Sequence, residues 1–453
     1  MQKIIIKNFR AIEYAEIELK KVLVLIGEQA TGKSTIAKLI YFFKTIQNSF
    51  FVRVYTNGDT DLEKFIWRTF IEFFGLVKND FEVEFWFDEE RKICIKNQEN
   101  TSSVSIVNID YNNENLKSIV ENINEQKNNL TTDRQQLLMT LGKSLSIAFR
   151  KVFNNKSNDN LYTIAGRNVT VSYSNIFEQY INTKIQIFLS ENNNQLDFDN
   201  TDERLMVNFI QKVNIIKDRF NKNNTFQGLI GYQKDLGVTL EKEEEFERYN
   251  LEKLTHKIEK ILKGKYQISN NYERLILENG KSIPLSDASS GQQEAIRILQ
   301  DLFLLILDNR KFLRIIEEPE AHLFPIAQKE LIELLALAVN YQPENQLIIA
   351  THSPYILTVF NNLLFANRVV EKNPDAKAEV EAIVEEDFWL KAEDFSAYAL
   401  GRDDDDDLYC RSIVNEKTGM IAQNYLDEVS EILGARFQAL FDIYKKSAKS
   451  RRR

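Results

Sequence analysis

Apolar positions at the start of the chain fall into three short runs. Ile4-Ile5-Ile6 comes first, Ala15–Leu19 alternates apolar with polar, and Val22-Leu23-Val24-Leu25-Ile26 is apolar throughout. Alternation predicts a strand with one buried face. The unbroken run predicts a strand covered on both faces, as in a parallel sheet. A glycine-bearing loop follows, then a helix from about Ser34 to Lys44. Residues 60–110 predict a helix around Phe65–Phe74 and strands such as Glu82–Phe87 and Ser103–Val107. From about Asn112 to Lys265 the chain is rich in Asn, Lys and Glu and reads as mostly helical. Phe209, Ile210, Val213, Ile216 and Phe220 recur there at helical spacing, and Glu241–Glu247 reads as an exposed helical face. Strand character returns at Tyr266–Ser269 and Arg274–Leu277. Helix and strand then alternate: helix Gln292–Leu307, strand Phe312–Glu317, helix Ala327–Val339, strand Gln346–Ala350. This alternation predicts an α/β fold interrupted by a mostly helical inserted domain.

Composition narrows the class. With 43% hydrophobic residues over 453 positions, the chain has material for a large core and is too apolar to stay disordered. No run of about 18 uncharged apolar residues occurs, so no membrane helix is expected. The N-terminal apolar run is too short for a secretion signal, and a cytoplasmic location is the expectation. Two cysteines, Cys94 and Cys410, make neither a disulfide framework nor a metal cluster. Lys+Arg number 58 and Asp+Glu 67, a net charge of −9, which argues against nucleic acid binding over the whole surface. A local basic face stays open. The tail residues Lys445, Lys446, Lys449, Arg451, Arg452 and Arg453 are one candidate, and a solvated terminus is the other reading.

Four segments carry chemistry. Gly27-Glu28-Gln29-Ala30-Thr31-Gly32-Lys33-Ser34 fits G-x-x-x-x-G-K-[ST] between a buried strand and a helix that continues with Thr35. Gly27 and Gly32 let backbone N–H groups curl toward phosphate oxygens, Lys33 neutralises the β- and γ-phosphates, and Ser34 offers a hydroxyl to Mg²⁺. Second, the apolar strand Leu313–Ile316 delivers Glu317 and Glu318 at its carboxyl end, where ligands of parallel sheets bind. Alternation along a strand points the two carboxylates different ways. Glu317 is then suited to hold Mg²⁺ through water, and Glu318 to polarise an attacking water. Glu317 stands where Asp is usual and is one methylene longer. A solvated acidic strand end is the other account of this pair. Third, Ser289, Ser290, Gly291 and Gln292 begin a helix with buried Ile296, Leu299, Phe303 and Ile306; a serine cap alone also explains them. Fourth, the strand Gln346–Ala350 ends in Thr351-His352-Ser353-Pro354. His322 and His352, two of three histidines, both follow motif-bearing strands.

The order of these segments resembles the ABC-type ATPase heads of the SMC and RecF class. Glu317-Glu318-Pro319-Glu320-Ala321-His322-Leu323-Phe324-Pro325 and Thr351–Pro354 look most like the OLD-type ATPases and related ATPase subunits of bacterial anti-phage systems. Tyr162–Arg167 is similar to a Pro-Ala-x-Arg segment of those proteins, without its proline, and Ile6-Lys7-Asn8-Phe9-Arg10 fits the same class. The resemblance covers about residues 1–60 and 270–360. The helical insert and the tail are outside it. It implies an ABC-type P-loop head, and the shifts in composition divide the chain into an N-terminal lobe over 1–110, a helical insertion over 111–265, a C-terminal lobe over 266–385 and an extension over 386–453. It implies ATP and Mg²⁺ as ligands, and two protomers that sandwich two ATPs. Ser289 or Ser290, with Gly291, would grip the γ-phosphate held by the partner's loop. His352 would contact that phosphate or the attacking water.

OLD proteins also carry a C-terminal TOPRIM nuclease. Here only Asp403–Asp407 is available, in a loop-like setting with no apolar strand before it. The chain is therefore expected not to cut nucleic acid itself. The expected role is a regulatory ATPase in a defence module: a homodimer or higher homo-oligomer, away from membranes, controlling a separate effector protein such as a nuclease. The alternative is a RecF/SMC-like repair ATPase that clamps DNA, which the dispersed Lys and Arg weaken. An interaction scaffold with a degenerate pocket fits poorly, since each expected catalytic position holds a competent residue. An ABC transporter subunit fits poorly too.

Overall fold

The computed structural model describes residues 1–57, 61–99, 101–110, 134–153, 159–172, 200–235, 251–401 and 409–422, with 114, 118–122, 125, 436–438 and 440. The first three apolar runs form β1 (Gln2–Phe9), β2 (Ile12–Leu19) and β3 (Val22–Gly27). Helices α1 (Lys33–Asn57) and α2 (Leu62–Phe74) lead into β4 (Phe81–Trp86), β5 (Lys92–Gln98) and β6 (Thr101–Val107). Then come α3 (Arg134–Val152), β7 (Asp159–Thr163), α4 (Thr201–Asn223), α5 (Phe226–Asp235) and α6 (Leu251–Leu262). A small antiparallel sheet, β8 (Gly264–Ser269), β9 (Tyr272–Leu277) and β10 (Ser282–Pro284), precedes α7 (Ser290–Leu307). The chain continues through β11 (Phe312–Glu317), α8 (Pro325–Tyr341), β12 (Gln346–Thr351), α9 (Pro354–Lys372), β13 (Phe395–Leu400) and β14 (Cys410–Ser412).

The central sheet has the order β14-β13-β3-β12-β11-β7. Its strands pair in parallel except for β14, which is antiparallel to β13. The fold is α/β, as the alternating pattern predicts. Side chains on β3 divide between two cores, Val22 and Val24 on one face and Leu23 and Leu25 on the other. Helices α7, α8 and α9 cover the first face. Helix α1 and the five-stranded antiparallel sheet β2-β1-β4-β5-β6 cover the second. An unbroken apolar run is what a strand between two such layers needs.

Helix α1 runs past the expected end at Lys44 because Ile46, Phe50 and Val54 continue its apolar face at four-residue intervals and are buried. Phe50 meets Phe65 and Phe149, and Phe42 meets Phe70, Phe73 and Phe74, so aromatic rings hold α1 against α2 and α3.

Three expectations need correction. First, β7 lies inside the stretch assigned to a helical insertion, yet it pairs with β11 in the central sheet. Second, β13 and β14 lie in the expected extension, yet β13 is the immediate neighbour of β3. The boundaries drawn from composition therefore cut through one sheet. Third, an apolar strand does precede Asp403–Asp407: Phe395–Leu400, which is buried over most of its length. Small residues (Ser396, Ala397, Ala399) kept its apolar signal low. Asp403–Asp407, Glu241–Glu247 and the basic tail lie outside the described residues.

Buried ion pairs tie the layers together. Arg314, on β11, is 1% exposed and forks onto Asp301 of α7 and onto Asp159 at the start of β7. Arg297 of α7 is likewise enclosed and donates two hydrogen bonds, of 2.6 and 2.8 Å, to Glu273 of β9. Burial pushes the Glu273 carboxyl up, but Arg297, Lys217 and the Tyr266 hydroxyl outweigh it and hold the pKa at about 2, against an ordinary 4.5. The folded value is depressed. Its stabilisation is thus fully present above pH 4.5 and is lost as pH falls toward 2. Glu273→Gln leaves Arg297 buried without its counter-charge, and should cost roughly 3 kcal/mol at neutral pH. Denaturant midpoints of both proteins should converge as pH drops below 4.5. A gap that stays constant down to about pH 3 would count against this account.

Candidate active site

The loop after β3 is shaped by close packing as well as by glycine's freedom. Gly27 has φ 155°, and a Cβ there would lie 2.4 Å from the Leu400 carbonyl oxygen on β13. Gly32 has φ 81°, and a Cβ would meet Ile12 Cγ1 at 2.8 Å. Ala30 also takes a left-handed conformation, with φ 63°. The loop is thus clamped between β2 and β13, so its curl is fixed by neighbours on both sides. Lys33 Nζ donates to the carbonyls of Gly27 and Glu28 at 2.8 and 2.6 Å, which holds the ammonium within the curl. Burial lowers the Lys33 pKa, and Glu318, Glu320, Glu28 and Glu317 partly offset that. Thr31 Oγ1 donates to the Glu28 carbonyl (2.8 Å), and the Tyr409 hydroxyl donates to the Thr31 carbonyl (3.1 Å). Glu28, Gln29 and Ala30 are exposed, while Ser34 and Thr35 sit half-buried in the first turn of α1.

Parallel pairing brings β11 and β12 to the same edge. Glu317 closes β11 and is 8% exposed. Its carboxylate accepts from the Tyr162 hydroxyl (2.6 Å) and the Ala165 N–H (3.3 Å). Burial, and then the charge of Glu317, push the Tyr162 pKa well up. Glu318 lies past the strand, so strand alternation does not set its direction, contrary to the sequence argument. Its φ is 43°, uncommon for a residue with a side chain. The Glu318 N–H donates to the Ala350 carbonyl at 2.8 Å, and its own carbonyl accepts from Ala321 N–H and Arg167. The Glu318 side chain is 44% exposed, and its Oε1 lies 3.7 Å from His352 Nε2. This is a carboxylate held by its backbone and free at its tip, beside an imidazole.

Sequence reasoning quoted two further residues here within resembling segments but gave them no role. Glu320 accepts from the Thr351 hydroxyl (2.6 Å) and the His352 N–H (2.9 Å), so it fixes the turn that presents His352. Its second oxygen, Oε2, is buried with no partner among the described residues. Arg167, fully buried, donates to the carbonyls of both Glu317 and Glu318. The signal for Glu320 was present in the acidic run. Arg167 was marked only as part of the Tyr162–Arg167 resemblance, and its role gave no signal because its hydrogen-bond partners are carbonyls.

The start of α7 packs against the turn that follows β11. Ser289 caps the helix in a reciprocal box with Gln292, whose amide also donates to the Leu262 carbonyl (2.6 Å). Gly291 is needed for packing, since a Cβ would lie 2.4 Å from the His322 carbonyl oxygen. His322 itself is exposed, with φ 59°. Ser289 and Ser290 are exposed, and among the described residues neither bonds to the loop at 27–34. One chain therefore brings the loop at 27–34, Glu317, Glu318 and His352 to one sheet edge, while among the described residues no hydrogen bond joins Ser289 or Ser290 to that loop.

A family model described as an AAA ATPase domain matches residues 1–357 of the chain. No curated protein matches it. Among solved structures, the chain is similar to the SMC head domain from Thermotoga maritima, with 12% identity, 79% of this chain and 90% of that chain covered, and a TM-score of 0.32. It is also similar to an Smc head bound to the C-winged helix domain of ScpA, with 13% identity, coverage of 92% and 98%, and a TM-score of 0.39. A third is the recombination mediator protein RecF of the RecFOR pathway, with 13% identity, coverage of 78% and 92%, and a TM-score of 0.28.

Glu318 presents a part-exposed carboxylate beside His352, so its removal should affect chemistry more than binding. Glu318→Gln should slow ATP turnover by about 10²- to 10⁴-fold, the usual worth of a general base, while ATP affinity stays close to wild type. Steady-state turnover alongside equilibrium nucleotide binding checks this. Full activity in the variant would remove Glu318 from the mechanism.

Proposed function

Because the chain belongs to the AAA ATPase domain family, and so binds ATP and hydrolyses it to ADP and phosphate, we propose that it works as a cytoplasmic homodimer or larger homo-oligomer that sandwiches ATP between protomers. We assign it a regulatory role in a bacterial anti-phage system, where ATP-driven engagement controls a separate effector. The observation that carries the sandwich is the split site. Ser289 and Ser290 are exposed at a well-capped helix N-terminus, with Gly291 buried behind them, suited to a phosphate yet, among the described residues, making no bond to the chain's own loop. The defence role is supported by the run Glu317–Pro325 and by Thr351–Pro354, whose pattern looks like that of OLD-type subunits.

In this reading backbone N–H groups of residues 27–35 hold the phosphates, and Lys33 exchanges its two carbonyl partners for phosphate oxygens. The donor set fits a hydrated Mg²⁺. Ser34 offers a hydroxyl, each Glu317 oxygen keeps a free lone pair beyond its one hydrogen bond, and the buried Glu320 Oε2 lacks a partner that a water would supply. Such an ion, when bound, neutralises charge on the phosphates. Glu318 accepts a proton from the attacking water, and His352 donates toward the γ-phosphate. Among the described residues no helix is long and apolar enough to cross a membrane.

Turnover per protomer should rise with protein concentration through the dimerisation range, because a lone protomer lacks the trans-acting helix. Constant turnover across that range would sink the sandwich. Affinity purification of Glu318→Gln with ATP from the native host should bring down a stoichiometric protein partner without DNA. Protected duplex DNA with salt-sensitive binding would instead favour a RecF/SMC-like clamp.

A further inference from the structure

A single enclosed side chain touches three parts of the site. Arg167 follows β7 and has no exposed surface. Its Nη1 donates to the carbonyls of Ile164 (3.3 Å) and Glu317 (3.0 Å), and Nη2 donates to the carbonyl of Glu318 (3.1 Å). Its Nε donates to the carbonyl of Glu294 on α7 (3.1 Å) and lies 3.3 Å from that residue's carboxylate, itself 1% exposed. The guanidinium thus joins the end of β7, the end of β11 and the first turns of α7. Glu294 lies four residues beyond Ser290, on the helix whose exposed N-terminus awaits a second protomer.

The contact at Glu318 matters most. A left-handed backbone at a residue with a side chain persists only where its surroundings impose it. Here two contacts do so from opposite sides, Ala350 accepting the Glu318 N–H and Arg167 donating to the Glu318 carbonyl. A planar fork with donors in fixed directions can serve carbonyls on three elements at once, whereas an ammonium on a flexible stem cannot. Enclosing that charge is costly, and among the described residues the carboxylate in ion-pair contact with it is that of Glu294.

We propose that Arg167 is a positioning residue that ties Glu318 to the start of α7, so that engagement of Ser289–Gly291 by a partner's nucleotide sets the reach of Glu318 in the chain's own site. This rests on the sandwich reading. The helix end serves the partner's phosphate, the base serves the chain's own, and Arg167 makes one respond to the other. Glu294 supplies the charge that keeps the strut in place.

Two variants of the full chain test it, each compared with wild type for kcat, ATP affinity and turnover against protein concentration. Arg167→Lys keeps the charge and loses the fork. Glu294→Gln keeps the backbone carbonyl and loses the counter-charge. A misplacement near 1 Å costs about a hundredfold, so kcat should fall about 10- to 100-fold in Arg167→Lys while ATP affinity changes less than about twofold. In Glu294→Gln the rise of turnover with concentration should flatten, again with ATP affinity kept. If Arg167→Lys does not fold, Glu294→Gln decides alone. Unchanged kcat and an unchanged concentration profile in Glu294→Gln would overturn the proposal. So would losses of kcat matched by equal losses of ATP affinity, which mark a merely structural role. A wild-type protein whose turnover ignores concentration fails the sandwich itself, a result distinct from failure of the strut.

Discussion

Parallel pairing of β3, β12, β11 and β7 is the constraint on which everything else rests. Because these strands run the same way, four loops of unlike chemistry leave the sheet at one edge. Register then fixes their depth, with Glu317 level with Ala350, and Thr351 level with Ile26. A slip of one residue on β11 would turn Glu317 toward the opposite core and send the enclosed Arg314 into the other layer. The ion pairs of Arg314 with Asp301 and Asp159 oppose such a slip, since no other register gives that charge its partners. The ion pairs of Arg314 within β11 thereby hold Glu317 in place at the strand's carboxyl end.

The carboxylates at this edge would repel one another if all were free. Instead two of the three are given separate donors. Glu317 is met by a phenol and a backbone N–H, Glu320 by a hydroxyl and a backbone N–H. Only Glu318 keeps its tip open to solvent and to His352. The division of labour comes from hydrogen-bond supply rather than from residue type, because all three are glutamates. It also explains how Glu317 can stand where a shorter aspartate is usual: Tyr162, on the neighbouring strand, meets the longer side chain.

Legibility in the sequence followed the nature of each interaction. The phosphate loop was readable because its glycines, lysine and serine are required by type and spacing. Strands β3, β11 and β12 were readable because burial on both faces leaves an unbroken apolar run. A serine cap at the start of α7 was readable, while the reciprocal part of Gln292 came from the structure. Arg167 was not readable as a strut, since main-chain carbonyls carry no letter in the sequence. β13 was missed because alanine and serine pack well between strands yet score as weakly apolar. β7 was hidden because Asp159 and Asn160 open a strand of five residues whose pairing partner lies about 150 positions away. The glycines were placed for conformational freedom, while the structure adds a second reason, the carbonyl of Leu400 against Gly27 and that of His322 against Gly291.

The clamp on the phosphate loop also has a consequence for biosynthesis. Tyr409 grips Thr31 from 378 residues further along the chain, and both sheet neighbours of β3 belong to segments at 346–351 and 395–400. A ribosome adds about 5–20 residues per second, so β3 waits on the order of tens of seconds for either partner. During that interval an apolar strand is without its ladder, a template for wrong pairing. The N-terminal segment must therefore be sheltered, by its own antiparallel sheet or by a chaperone, until translation is nearly past residue 400. The loop at 27–34 is thus synthesised well before the strands and the tyrosine that complete its setting.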